Sequence, residues 1–178
     1  ISFLQTNVTD PRFSFHVYNT HNDMYNPHGE PLSANTRLPL QEQSFDFICL
    51  FSVFTHLAPH DYVAMLRMLR RYLKPDGRII FSLFVNERTK GGLGWLDALE
   101  KTWVIDEALV QQHKEAFLEA IKDGGPPDFL DYYPDEPLKV AMYSRDYALR
   151  LVENTGWEIE SLNDPEECIQ HYMICKPI

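Results

Sequence analysis

Three stretches of the chain carry a clear pattern of apolar and polar positions. Phe45-Asp46-Phe47-Ile48-Cys49-Leu50-Phe51 is a nearly continuous apolar run, the pattern of a strand buried on both faces of a parallel sheet. Tyr62, Leu66, Leu69 and Leu73 then recur at helical spacing, with Pro59 placed for the first turn of that helix. Lys74-Pro75-Asp76-Gly77 reads as a stop and a turn, and Arg78-Ile79-Ile80-Phe81-Ser82-Leu83-Phe84-Val85 as a second buried strand. Strand, helix, turn and strand in that order predict one βαβ unit. Residues 45–51 and 78–85 are expected to lie adjacent and parallel, with the helix around 60–73 crossing between them right-handedly.

The flanks are less regular. Arg12-Phe13-Ser14-Phe15-His16-Val17-Tyr18 alternates and is rich in aromatics, which predicts a strand. Loop chemistry follows in Asn19-Thr20-His21-Asn22-Asp23 and Asn26-Pro27-His28-Gly29. After Asn86, the run Lys90-Gly91-Gly92-Leu93-Gly94-Trp95 reads as a flexible loop. Leu109, His113, Phe117 and Ile121 then mark one stripe of a helix, with His113 read as a core or edge histidine. Residues 128–137, acidic and tyrosine-rich, read as an irregular cover. Ser144 is placed to cap a helix and Gly156 to end it. Trp157–Leu162 and Cys168–Cys175 then predict two paired strands joined by a polar turn. The whole predicts a single partial α/β domain over 1–178, with a helical insertion or lid at 87–140.

Composition narrows the function classes. Of 178 residues, 16 are basic and 26 acidic, a formal charge of −10 that repels phosphate backbones. Arg67, Arg70 and Arg71 are the one visible basic group, so no nucleic-acid partner is expected. The longest apolar run, Phe47–Phe54, is far short of the ~20 residues of a membrane span, and the first residues lack the basic and apolar regions of a secretory signal. No membrane partner and a cytoplasmic location are expected. Cys49, Cys168 and Cys175 have no metal or CxxC spacing and read as buried free thiols. His16, His21 and His28 match no zinc spacing, so no metal site is expected.

Taken in order, Ser44 to Leu57, the following helix and Leu73-Lys74-Pro75-Asp76-Gly77-Arg78-Ile79-Ile80 resemble the fourth-strand and fifth-strand region of class I S-adenosylmethionine-dependent methyltransferases. Thr155-Gly156-Trp157-Glu158-Ile159 and Gln170 to Pro177 are similar to that family's closing antiparallel hairpin. The resemblance implies a Rossmann-like, mostly parallel sheet closed by that hairpin, and S-adenosylmethionine as cofactor. It implies methyl transfer to a small-molecule or sugar-like acceptor, by a chain that is part of a longer enzyme.

The resemblance also implies the site. Ligands of an open parallel sheet bind beyond the carboxyl ends of its strands, and the turn Leu50-Phe51-Ser52 would there line the cofactor. Core packing is the alternative for Phe51, and capping of a turn the alternative for Ser52. Asn19 stands where the family commonly places an aspartate facing adenine, and its amide can both accept and donate. A turn-forming asparagine is the rival reading. His56, just past the fourth strand, is the candidate base, since imidazole titrates near neutral pH; a structural histidine at a helix start is its rival. Trp95, Trp103, Tyr132 and Tyr133 of the insertion could stack on an acceptor or pack on the sheet.

The family's glycine-rich first motif and its ribose-binding acid have no counterpart in the 178 residues. The first two strands are therefore expected to be missing, and Ile1 to follow an upstream segment. Such a gap would expose buried backbone groups at roughly 1–3 kcal/mol each, so an upstream segment or a second chain is expected to complete the sheet, the alternative being a rearranged sheet in which Arg12–Tyr18 pairs directly with Phe45–Phe51. The alternative to an enzyme is a methyltransferase-like binding or scaffolding module without catalysis. A hydrolase is a distant third, because no G-x-S-x-G elbow is present.

Overall fold

The computed structural model describes residues 1–86, 115, 128–131, 135–163 and 170–178. Its centre is the expected βαβ unit. Strand β1, Phe45–Leu50, and strand β2, Leu73–Val85, pair in parallel, and helix α2, Pro59–Arg70, connects them; the short helix α1, Ser2–Asn7, precedes them. Pro59 occupies the first turn of α2, where a missing N–H costs nothing. The chain is an α/β protein with a Rossmann-like sheet. Strands β3, Phe129–Asp131, and β4, Ala141–Tyr143, are followed by helix α3, Arg145–Arg150, then β5, Trp157–Asn163, and β6, His171–Pro177.

Strand β2 hydrogen-bonds to three neighbours: β1 and β4 in parallel and β6 antiparallel. The β5–β6 pair closes the sheet as the expected antiparallel hairpin, with Trp157 opposite Pro177. Ile79, Phe81, Leu83 and Val85 of β2 are fully buried. Over them, Phe54, Tyr62 and Phe81 form an aromatic cluster with ring centroids 4.2–5.8 Å apart, a spacing favourable for edge and offset contacts. The buried stripe of α2, Tyr62, Leu66 and Leu69, faces this cluster. Trp157 donates its indole N–H to the Leu66 carbonyl at 2.9 Å, and Arg70 reaches the carbonyls of Gly156 and Ile178, joining the helix to both ends of the hairpin.

Several expectations are corrected. Arg12–Tyr18 is not a strand: no ladder forms along it, and Phe13 and Val17 stand exposed. Alternation supplies faces, but a strand also needs a second strand for its N–H and C=O groups, and none pairs with this segment among the described residues. Lys74–Gly77 is not a turn but part of β2. Between the pairs Phe45–Leu73 and Phe47–Arg78 the ladder slips, so β2 bulges outward there. Gly77 makes the bulge possible, since a Cβ at that position would lie 2.7 Å from both the Asp46 carbonyl oxygen and Leu73 Cγ. Ser144 caps α3, accepting from the Tyr147 N–H, but the helix ends at Arg150. Gly156, at φ +88°, ends a later turn that leads into β5.

The largest correction concerns β1. It pairs with β2 alone among the described strands, and its expected burial on both faces is not met: Phe47 is 67% exposed and Cys49 is exposed too. Beside it lies an apolar groove of about 230 Å³ lined by Leu38, Leu40, Phe45, Phe47, Ile48, Leu69 and Tyr72. Cys175 is buried as expected, and Cys168 lies outside the described residues. The expected insertion falls mostly outside them as well, including the glycine loop, the stripe residues Leu109, His113, Phe117 and Ile121, and Trp95, Trp103, Tyr132 and Tyr133. The part of the expected irregular cover at 129–131 is the strand β3, paired with β4.

Two outcomes follow from these contacts. Gly77→Ala is expected to cost about 1–3 kcal/mol in urea unfolding, the range for forcing atoms into a packed site. Phe47→Ala, at an uncovered position, should change stability by no more than about 0.5 kcal/mol. A thiol reagent should modify Cys49 in the folded chain and spare Cys175, whose thiol burial pushes up to about 12, with the Glu160 charge adding to the effect. Mass spectrometry of the alkylated chain distinguishes the two sites.

Candidate functional site

Beyond the carboxyl end of β1 the chain turns sharply. Ser52 adopts a left-handed backbone, φ 54°, uncommon for a residue other than glycine. Its N–H donates to the Ser82 hydroxyl at 2.8 Å, and its own hydroxyl accepts from the Gln170 amide at 2.9 Å. The turn is thus tied to β2 and to the start of β6. Phe51 is 57% exposed and meets the edge of the Tyr172 ring. Leu50 is partly buried against the core.

A 3₁₀ turn, Phe54–His56, then presents His56. The Nδ1 atom of His56 lies 3.0 Å from the carbonyl oxygen of Leu138. A carbonyl can only accept, so Nδ1 carries the hydrogen. In the neutral ring Nε2 then holds the lone pair, and it lies 3.4 Å from the Tyr25 hydroxyl, which can donate to it. The Tyr25 and His56 rings meet edge to face, with centroids 5.2 Å apart.

The loop that carries Tyr25 is built from the asparagines seen in the sequence. The Asn22 carboxamide oxygen accepts from the N–H groups of Met24 and Tyr25, while its nitrogen donates to the His56 carbonyl at 2.8 Å. Asn19 Oδ1 accepts from Asn26, and the Asn19 carbonyl accepts from the Glu30 N–H. These bonds match the turn-forming use of asparagine. Asn22 and Tyr25 are the loop residues brought directly to His56. Sequence reasoning passed over them because loop composition marks a turn, not the surface it packs on.

Asp61, in the first turn of α2, is buried, with His60 Nε2 3.4 Å from its carboxylate. Burial raises its carboxyl above the ordinary 3.8, opposed by the charges of His60 and His21 and assisted by Asp23. The folded chain therefore binds this proton more tightly than the unfolded one. The protonated form suits the fold below pH 3.8, and that advantage is lost as pH rises through the higher folded value. Asp61→Asn is accordingly expected to raise stability at neutral pH and to leave it little changed below pH 3.8, as read from urea unfolding midpoints at the two conditions.

Among the described residues no group of three or more His, Cys, Asp or Glu is arranged to hold a metal ion, and no helix is long and apolar enough to cross a membrane. Solved structures with a similar chain path include a protein of Pyrococcus horikoshii, at 13% identity and TM-score 0.48, with 80% of this chain and 56% of that one covered. A SAM-dependent methyltransferase of Methanosarcina mazei aligns at 15% identity and TM-score 0.45, over 84% of this chain and 66% of that one. A SAM-dependent methyltransferase of Leishmania major aligns at 15% and 0.45, over 76% and 39%. The chain thus spans between 39% and 66% of the length of these three. Residues 12–81, which hold the Asn19–Glu30 loop, β1, the His56 turn, α2 and most of β2, match the family described as a methyltransferase domain. Over those residues, though not over the rest of the chain, the sequence is similar to a methyltransferase domain.

Proposed function

We propose that the chain is part of a longer cytoplasmic enzyme that moves a methyl group from S-adenosylmethionine to a small-molecule or sugar-like acceptor, with His56 as base. The observation that carries the reading is the state of His56. Its Nδ1–H is committed to the Leu138 carbonyl, so Nε2 keeps its lone pair just past the carboxyl end of β1, on the side of a parallel sheet where ligands bind. Leu50, Phe51, Ser52 and Asn19 would hold the cofactor. The exposed ring of Phe51 and the sharp left-handed turn at Ser52 suit that use, and the exposed Asn19 side chain offers a carboxamide to adenine. When bound, the cofactor supplies an electrophilic methyl on a sulfonium sulfur. His56 would take the proton from an acceptor that must lose one, and alignment of acceptor and methyl group would supply the rest.

In this reading the stretch 87–140, apart from β3 and the core residue Leu138, would serve as the acceptor lid, with Trp95, Trp103, Tyr132 and Tyr133 offered to stack on the acceptor. The edge of β1 that no described strand pairs with, and the exposed Phe47, support completion of the sheet by an upstream segment or a second chain. The same edge favours the second reading, a methyltransferase-like scaffolding module that offers β1 to a partner.

Calorimetry with S-adenosylhomocysteine tests the two. Binding is expected for a longer chain carrying the preceding residues and weak or absent for the 178 residues alone. Asn19→Ala in the longer chain should weaken binding by about 1–2 kcal/mol, the loss of one hydrogen bond at the site. His56→Ala should lower turnover more than cofactor affinity. No binding by the longer chain would overturn the enzyme reading in favour of the module.

A further inference from the structure

Leu138 is a buried leucine held at φ +58°, a conformation in which its Cβ crowds the backbone. Bulky residues adopt it only where the surroundings impose it, and such sites cluster at functional positions. Both polar groups of its backbone are engaged. Its N–H donates to Asp131 Oδ2 at 2.9 Å, and its carbonyl accepts from His56 Nδ1 at 3.0 Å. Asp131 is itself fixed as the last residue of β3, paired with Ala141 of β4. The ladder, the Asp131 carboxylate, the strained peptide and the imidazole thus form one connected series. At its far end Nε2 meets the Tyr25 hydroxyl at 3.4 Å, longer than a good O–H···N bond and so a seat from which Tyr25 is readily displaced.

We propose that Asp131 is a positioning residue: by fixing the peptide of Leu138 it holds His56 in the Nδ1–H tautomer and leaves Nε2 as the proton acceptor. The proposal rests on the reading of His56 as base. A free imidazole interchanges its two neutral forms. A carbonyl fixed opposite Nδ1 selects the form that presents a lone pair at Nε2. Without the Asp131 contact, the peptide at 138 can relax to negative φ and turn its carbonyl away from the ring. In the transfer step a proton then has one place to go: it leaves the acceptor for Nε2 as the bond from acceptor to methyl carbon forms. The bond from sulfur to that carbon breaks with its electron pair left on sulfur.

Nitrogen-15 NMR of the histidine-labelled chain, recorded well above neutral pH, reads the tautomer without any cofactor. The expected result is an Nδ1–H ring at His56 in the unaltered chain. Asp131→Ala should shift it toward the Nε2–H form or an average of the two. Asp131→Asn, whose carboxamide oxygen still accepts from the Leu138 N–H, should restore it. Should Asp131→Ala not fold, Asp131→Ser, too short to reach the same N–H, is read in its place. In the longer enzyme the alanine variant should lose at least tenfold in kcat with little change in KM for the cofactor. An Nε2–H ring in the unaltered chain, or an unchanged tautomer in a folded Asp131→Ala or Asp131→Ser variant, overturns the proposal. A tautomer that responds as expected while His56→Ala keeps full turnover overturns the base reading alone.

Discussion

Everything described in this chain leans on β2. A strand has two edges, and β2 uses its edges for three partners: β1 and β4 in parallel and β6 antiparallel. Its inward side chains, Ile79, Phe81, Leu83 and Val85, are fully buried, so both its backbone and its side chains are committed. The aromatic cluster around Phe81 fixes α2, and α2 fixes the hairpin through Trp157 and Arg70. The carboxyl end of the same strand sets the site: Ser82 receives the Ser52 N–H, and Asn86 donates to the Tyr143 carbonyl. Removal of β2 would leave the β3–β4 and β5–β6 pairs intact but would part them from each other and from β1.

The candidate site is correspondingly a place where distant segments meet on a scaffold none of them builds alone. His56 follows β1, Tyr25 and Asn22 come from an early loop, and Leu138 and Asp131 come from the end of the stretch between β2 and β4. The hydrogen bonds among them are short-range, but their partners lie far apart in sequence. Tyr143, on β4, adds another tie by donating its hydroxyl to the Leu57 carbonyl. Burial holds that hydroxyl well above its ordinary range, and the Tyr147 and Asp61 charges add to the effect. It therefore remains a donor at any ordinary pH, and the turn after His56 keeps its anchor.

How far the sequence could be read depended on whether the deciding contact was local. Pro59 and the Tyr62–Leu66–Leu69 spacing settle α2 within one helix, and Ser144 caps α3 with its own hydroxyl. Those were legible. Arg12–Tyr18 has the alternation of a strand, but pairing belongs to two segments, and no strand pairs with it among the described residues. The β1 run reads as buried because its residues are apolar. Its exposure depends on what covers its two faces, which no residue of β1 encodes. Lys74–Gly77 carries turn chemistry that a slipped ladder absorbs as a bulge, with Gly77 serving close approach instead of reversal. Within the site, His56 was visible as a residue type with useful chemistry. Its tautomer was not, because that is set by a left-handed peptide at a leucine, where side-chain identity gives no signal.

The pairing of β2 with β6 has a temporal side. β1, α2 and β2 are contiguous, so they can associate as soon as that part of the chain exists. The edge of β2 opposite Cys175 and Met173 waits for nearly the last residues of this sequence. During synthesis, an apolar strand edge is therefore formed early and covered late, with the stretch between β2 and β4 made in the interval. Non-local closure of this kind is slow, and the half-built sheet is the species most exposed to pairing with another chain. Loss of β6 alone would be felt first as a failure of yield in the cell, before any measurement of the site could register it.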